Sequence, residues 1–231
     1  SALMPNHSMM LLDLGNAFAG SNNVGRAIET WKKATTVRKD FRDAWVNLGN
    51  IYQGANDIEN ALDAYEEADR IAPEFATSAY NRGMGSLKRG AARSARRWFD
   101  EAIRRDPTVI DAYIRLGMLE LESQRYPTVH ELATRILKIK KDYAAAYWLR
   151  GEALLGAAFY EDAIIDFTKF IELAPDMEVG YLKLARAHRA LGNDNAAKEV
   201  IQQAANQFGR SPKIKAAQKE LSVPSEKMPW Q

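Results

Sequence analysis

The sequence contains no cysteine among its 231 residues, which excludes disulfide bonds and thiolate metal sites. No stretch approaches the roughly 18 consecutive apolar residues that a membrane-spanning helix requires. The N-terminus lacks a basic segment followed by an apolar run, so we expect no signal peptide. The net charge of +2 is too small to indicate a nucleic-acid or membrane partner by itself. Nothing in the sequence specifies a compartment, and the default expectation is the cytoplasm.

Motifs for catalysis and cofactor binding are also missing. His7, His130 and His188 lie far apart, and there is no H-E-x-x-H, G-x-S-x-G or Walker A pattern. A short G-x-G at Gly83 and Gly85 falls inside an expected helix rather than in a phosphate-binding loop. We therefore predict no catalytic residue, no metal site and no cofactor, and we expect a protein that is not an enzyme.

The strongest pattern that is present lies at residues 43–73. It follows the spacing W-x2-L-G-x2-Y and then A-x3-Y, A and P, with the residues Trp45, Leu48, Gly49, Tyr52, Ala61, Tyr65, Ala68 and Pro73. Small residues such as Gly49 allow two helices to approach closely, and large residues fill the space that remains. Pro73 ends the second helix. One helical hairpin cannot bury its apolar face alone, so it needs neighbours.

The same pattern recurs every 34 residues in both directions. Position 8 of each repeat holds Gly15, Gly49, Gly83, Gly117, Gly151 and Ala185, and the large position of the second helix holds Trp31, Tyr65, Phe99, Ala133, Phe167 and Ile201. The chain thus resembles six tandem tetratricopeptide (TPR) repeats. This resemblance implies an all-α fold, an α-solenoid in which six helix-turn-helix repeats form a right-handed superhelix.

The pattern also predicts the boundaries of the segments. Residues 1–7 are an N-terminal extension or the end of a missing repeat, and residues 8–211 form the repeats 8–41, 42–75, 76–109, 110–143, 144–177 and 178–211. Ser211 and Pro212 are typical of a helix start, which predicts a capping helix at 212–221 followed by a tail at 222–231. The repeat 110–143 departs from the pattern at Ala133, and we expect its second helix to be slightly displaced.

In TPR superhelices the first helices line the concave groove, and the resemblance implies that positions 2, 5, 6 and 9 of each repeat point into it. Read onto this chain, the groove holds an asparagine cluster, an apolar track and one arginine: Asn16, Asn47, Asn50, Asn81, Tyr80, Met84, Ile114, Met118, Trp148 and Arg115. Position 6 also places Leu149 there. An asparagine amide pairs with both polar groups of a peptide backbone, and an exposed apolar track suits side-chain anchors. The alternative is a solvated scaffold whose position-5 residues only pack between neighbouring helices.

The TPR carboxylate clamp, which grips acidic C-terminal tails, is matched only in part. Asn50, Asn81 and Arg115 agree with it, but Val46 and Asp111 stand where the clamp has lysines. The sequence therefore disfavours clamp binding.

A basic patch on the second helix of repeat 76–109 is a separate candidate site, made of Arg93, Arg96, Arg97, Arg104 and Arg105, with Trp98 as a stacking surface. A solvated face partly neutralised by the acidic neighbouring repeat is the simpler interpretation, so nucleic acid is disfavoured as a partner. We predict a non-catalytic scaffold that binds an extended or helical peptide segment of a partner protein in the groove. The alternatives are a self-assembling module that forms homo-oligomers, and a nucleic-acid or anionic-surface binder.

Overall fold

The computed structural model describes residues 4–209 and 211–222, and the regular structure in these residues is entirely α-helical. The chain divides into two compact units, residues 1–112 and residues 113–231. The all-α fold class that the sequence predicts is confirmed. Of the predicted tail, only Ser222 belongs to the described residues, and the predicted N-terminal extension is described only from Met4 onward.

Unit 1 consists of three helical hairpins. Their helices are α1 (Met4–Gly20), α2 (Val24–Val37), α3 (Arg42–Gly54), α4 (Ile58–Ile71), α5 (Ala76–Lys88) and α6 (Ala92–Arg105). The two helices of each hairpin pack against each other, and α2 and α4 also pack against the first helix of the next hairpin. This arrangement buries a core that includes Trp31, Leu48 and Tyr65.

Unit 2 contains most of α7 (Ile110–Glu122), then α8 (Tyr126–Ile139), α9 (Ala144–Gly156), α10 (Tyr160–Leu173), α11 (Glu178–Ala190), α12 (Asp194–Phe208) and α13 (Pro212–Leu221). Successive helices from α8 to α13 pack against one another. Within this unit α13 packs on α12, and Ile214 and Leu221 join a buried cluster with Tyr181 and Ile201. The short last helix thereby shields the apolar side of the preceding hairpin from water.

Each hairpin turn contains one residue with a positive φ angle. These residues recur every 34 positions, at Asn22, Asn56, Gly90, Gln124, Ala158 and Gly192. In each turn the next residue donates its N–H to a carbonyl five residues back, as from Asp57 to Tyr52 at 2.8 Å. Asparagine and glycine tolerate this left-handed conformation better than other residues do. The interval seen in the side-chain pattern is therefore also present in the backbone.

Four of the position-8 glycines contact a large ring from the second helix of the same hairpin. A Cβ atom on Gly49 would lie 2.3 Å from the ring of Tyr65, and one on Gly151 would lie 2.8 Å from Phe167. Gly15 and Gly83 face Trp31 and Phe99 in the same way. Only a glycine permits so close an approach, which explains why small and large residues alternate between the paired helices.

Gly117 is packed differently. Its own second helix has Ala133 at the large position, which leaves space above the glycine. Leu149, from the first helix of the following hairpin, fills that space, because a Cβ on Gly117 would lie 2.5 Å from its Cδ2 atom. Leu149 is completely buried, in a cluster with Val129, Ala133 and Ala153. The placement of Leu149 in the groove was wrong, since this side chain completes the core of the preceding hairpin.

Candidate functional site

The predicted asparagine cluster lies on one surface of unit 1, formed by α1, α3 and α5 and called here the first-helix face. The asparagines form two side-chain pairs between successive first helices. Asn47 donates its amide N–H to Oδ1 of Asn16 at 2.8 Å, and Asn81 donates to Oδ1 of Asn50 at 3.3 Å. Each pair joins position 9 of one repeat to position 6 of the next. The sequence predicted these residues but not their pairing.

A buried hydroxyl fixes the orientation of the Asn50 amide. The Tyr65 ring is fully buried, and its hydroxyl donates to Oδ1 of Asn50 at 2.9 Å. Burial raises the pKa of Tyr65 above its ordinary value, so the hydroxyl stays protonated and remains a donor. Because Oδ1 of Asn50 accepts from both Tyr65 and Asn81, the amide group turns its N–H groups away from them. Asn50 is an exposed residue, so these donors are accessible to a bound chain.

An open depression of about 300 Å³ lies beside the asparagine pairs. Ala19, Trp31 and Ile51 supply its apolar lining, while Asn16, Asn47 and Asn50 supply polar groups. A space of this kind accommodates one apolar side chain while the amides pair with the adjoining backbone. Tyr80 and Met84, the predicted side-chain anchors of unit 1, are half-buried, and the Tyr80 ring lies 5.8 Å from that of Phe99.

The remaining predicted groove residues belong to unit 2. Met118 is exposed, whereas Ile114, Arg115 and Trp148 are half-buried. Ile114 and Trp148 both pack against the cluster that contains Leu149. The indole N–H of Trp148 is buried and has no acceptor among the described residues. Trp148 is therefore partly a packing residue, as the alternative interpretation of position 5 anticipated.

Unit 2 contains a third pair with the same spacing, which sequence reasoning missed. Nζ of Lys183 lies 2.7 Å from a carboxylate oxygen of Glu152, joining position 6 of α11 to position 9 of α9. The Lys183 and Glu152 side chains are 25% and 13% exposed, so solvent screens the pair only in part. The opposite charges of Lys183 and Glu152 at these two repeat positions are the sequence signal that could have predicted the pair.

The basic patch is smaller than the sequence suggests. Arg105 is only 12% exposed, because its guanidinium pairs with Asp69 of α4 and with Glu101. The half-buried Arg96 has an interaction of its own, whereas Arg93, Arg97 and Arg104 are exposed, and Arg104 pairs with Glu101. The Arg82 guanidinium lies 3.7 Å from the centroid of the Trp98 ring, so this face of the ring is already occupied by a cation–π contact.

His188 occupies a packing position in α11. Burial lowers its pKa, and Nδ1 is enclosed with no hydrogen-bond partner among the described residues. A neutral, enclosed imidazole of this kind contributes to packing. In the described part of the chain no helix is both long enough and apolar enough to cross a bilayer.

Comparison with protein families agrees with the repeat pattern. Models described as "Tetratricopeptide repeat" match residues 12–76, 53–110 and 180–211, which together exceed half of the chain. A comparison with curated protein sequences finds no match.

Solved structures with the same fold include several bacterial proteins. PilF of Pseudomonas aeruginosa superposes with a TM-score of 0.74 at 16% identity, over 94% of this chain and 99% of its own. PilW, a type IV pilus biogenesis factor, gives 0.71 at 20% identity over 90% and 97%. YrrB, a TPR protein with an unusual peptide-binding site, gives 0.64 at 19% identity over 78% and 93%. Identities this low establish the fold alone.

The chain is built from helical hairpins that repeat at a constant interval. Small residues lie where the paired helices cross, and amide pairs join successive first helices. These features are those of a helical-repeat protein. The chain belongs to the tetratricopeptide repeat family. Proteins with this fold generally mediate protein–protein interactions, and as a class they are generally non-catalytic.

Proposed function

We propose that the protein is a non-catalytic interaction scaffold that binds an extended or helical peptide segment of a partner protein on its first-helix face. The observation that carries the proposal is the fixed amide of Asn50, whose oxygen is held by Tyr65 and Asn81. Its N–H groups are ordered before binding, so pairing them with backbone carbonyls loses little side-chain entropy. The adjoining depression takes one side chain of the segment.

The proposal also includes residues of unit 2, considered by itself. Met118 is exposed and adaptable in shape, and the half-buried Trp148 keeps part of its surface accessible. YrrB, which shares the fold, is described as having a peptide-binding site, and this supports the choice of ligand class. An affinity in the micromolar range, about −8 kcal/mol, is reasonable for a short segment.

The test compares the double variant Asn47→Ala/Asn81→Ala with the parent protein. Partners are first captured by affinity purification with mass spectrometry, and the bound segment is then measured by fluorescence anisotropy. Loss of the Asn47 amide, and of the Asn81 amide that orients Asn50, should weaken binding by about 1–3 kcal/mol, or roughly 5- to 150-fold.

The matched control is Asn195→Ala/Asn206→Ala, which removes two exposed asparagines from α12. It should bind like the parent. Equal binding by all three proteins would contradict the proposed role of the first-helix face. Thermal unfolding of each protein shows whether any loss of binding reflects a loss of folding instead.

Self-association is the second candidate function, and α1 carries the observation that favours it. Met10 stands at position 3, where the later repeats have small buried residues: Ala44, Ser78, Ala112, Ala146 and Gly180. Met10 is 68% exposed, and Met9 and Leu14 beside it are also exposed. An uncovered apolar patch of this kind favours a second copy as partner.

The variant Met10→Ser/Leu14→Ser tests this candidate. If two copies meet through α1, the parent should increase in mass with concentration by light scattering, and the variant should remain monomeric because the apolar contact is lost. A parent that is strictly monomeric at all concentrations contradicts self-association.

A further inference from the structure

The turn between α9 and α10 differs from several of the equivalent hairpin turns at two adjacent residues. Ala158 has a φ angle of 63°, whereas the equivalent positions hold Asn22, Asn56, Gly90, Gln124 and Gly192. A left-handed backbone brings the alanine Cβ close to its own carbonyl oxygen, so alanine is strained there. Strain that local sequence does not require is found most often at functional sites.

The next residue lacks the side-chain cap that two of the equivalent turns have, a bond that is also missing before α6, α8 and α12. Asn23 and Asp57, at the equivalent positions before α2 and α4, accept backbone N–H groups with their side chains. Phe159 precedes α10, makes no such bond and is 58% exposed. An apolar ring here replaces a stabilising cap with exposed apolar surface. Two adjacent residues therefore disfavour the turn locally and favour a surface that presents Phe159.

Phe159 borders a cavity of about 400 Å³ within unit 2, called here the α8–α10 pocket. Ala153, Leu154 and Ala157 line it, and Tyr126 and Pro127 form a wall from the start of α8. Tyr126 reaches this position only because Gly156 lacks a side chain, since a Cβ there would lie 2.3 Å from the ring. The pocket is thus a largely apolar space whose lining includes two aromatic residues, Tyr126 and Phe159.

The rim of the pocket is acidic. Asp162 lines it, is exposed, and forms no ion pair with a described residue. Glu161 precedes it and is also exposed. His130, on α8, is the other polar side chain at the rim. A cationic group beside the apolar space would therefore meet an exposed carboxylate, which also interacts with the charge of Arg150.

We infer that the α8–α10 pocket is a second peptide site, which takes a large apolar side chain followed by an arginine or lysine. The apolar side chain enters between Tyr126 and Phe159, and the basic group pairs with Asp162. The charge of the rim selects this occupant over an acidic or neutral segment. The pocket shares no residue with the first-helix face, so peptide binding at the pocket is tested independently of the proposed function.

The experiment titrates the isotope-labelled full chain with three short peptides, observed by nuclear magnetic resonance. The probe is acetyl-Gly-Leu-Arg-Gly-amide, and its controls replace the arginine with glutamate or the leucine with serine. We expect the probe to shift resonances of Leu154 and Ala157 and to bind about tenfold more tightly than either control, as one ion pair or one apolar contact allows.

Two variants separate binding from folding. Phe159→Asn restores the cap found at Asn23 while removing one wall, so its Tm should stay within about 2–4 °C of the parent while probe binding is lost. Asp162→Asn should abolish the preference for arginine over glutamate but not the leucine contact. Asn47→Ala/Asn81→Ala should bind the probe like the parent. Equal binding of all three peptides, absence of shifts at the pocket, or undiminished binding by Phe159→Asn would overturn the inference.

Discussion

Replacing Leu149 with alanine is expected to lower the free energy of unfolding of unit 2 by about 2–5 kcal/mol. Leu149 is completely buried, and its side chain fills the space above Gly117 that Ala133 leaves empty. Removing it opens a cavity in a cluster that joins α7, α8 and α9. The rigid helices on three sides limit how far the structure can relax into that cavity.

Hydrogen exchange with mass spectrometry measures this loss helix by helix, because a repeat protein need not unfold in one step. Protection should fall first in α8 and α9. The control is Ile139→Ala in the same unit, whose side chain is 40% exposed and whose removal should cost much less. Equal losses in the two variants would contradict a core role for Leu149.

A second substitution should repair the defect. Ala133→Phe places at position 133 the large residue that other repeats have there, as at Phe99 and Phe167. In the Leu149→Ala background the new ring can occupy the space that Leu149 vacates. Alone, Ala133→Phe should destabilise by about 1–3 kcal/mol because Leu149 already fills the site. A double variant more stable than either single one would show that the two residues compete for one space. Additive losses would show that they do not.

Leu149 also shows where sequence reasoning succeeds and where it stops. The position-8 glycines and the large residues of the second helices predicted the helical hairpins, because each such contact lies within one repeat and recurs at a fixed spacing. The departure at Ala133 was visible as well. Its compensation was not, because Leu149 belongs to the next repeat and its position number placed it in the groove. Contacts between repeats depend on side-chain direction, which a position-by-position comparison lacks.

In the candidate sites too, the sequence predicted residue types at repeat positions but not the contacts between side chains. The asparagines were predicted as residues, but the orientation of Asn50 depends on the buried Tyr65 hydroxyl, which the pattern reports only as a large side chain. The sequence analysis assigned Arg105 to the basic surface. In the structure its positive charge is neutralised by Asp69, which lies 36 residues earlier in the chain. Phe159 was overlooked because an exposed phenylalanine matches no motif. Comparison with Asp57 and Asn23, three and four repeat lengths earlier, was the signal that could have found it.

Asp166 gives the second large expected effect. Its carboxylate is 2% exposed and accepts two hydrogen bonds from the Arg150 guanidinium, both at 2.7 Å. These bonds raise the pKa of Arg150, so the guanidinium stays charged at any pH the fold survives. Asp166→Ala removes the partner and leaves this charge half-buried. Loss of one member of a buried pair costs about 3–5 kcal/mol, and we expect about 3, because the Arg150 side chain keeps 23% exposure and regains some water.

Chemical denaturation followed by circular dichroism measures the loss, and the exposed pair of Arg135 and Glu131 on α8 is the matched control. Those side chains are 51% and 62% exposed, so Glu131→Ala should cost well under 1 kcal/mol and should respond more to added salt. A loss for Asp166→Ala as small as that of the control would contradict burial of the Arg150 pair.

The double variant Arg150→Met/Asp166→Leu distinguishes the worth of the pair from the harm of breaking it. Desolvation opposes the attraction between buried charges, so replacing both by apolar side chains should recover most of the stability that Asp166→Ala loses. The pair would then contribute more to which helix packs against α10 than to net stability, because Arg150 of α9 is a hydrogen-bond partner of the buried carboxylate among the described residues. A double variant as unstable as Asp166→Ala would instead assign the pair a large net stabilising energy of its own.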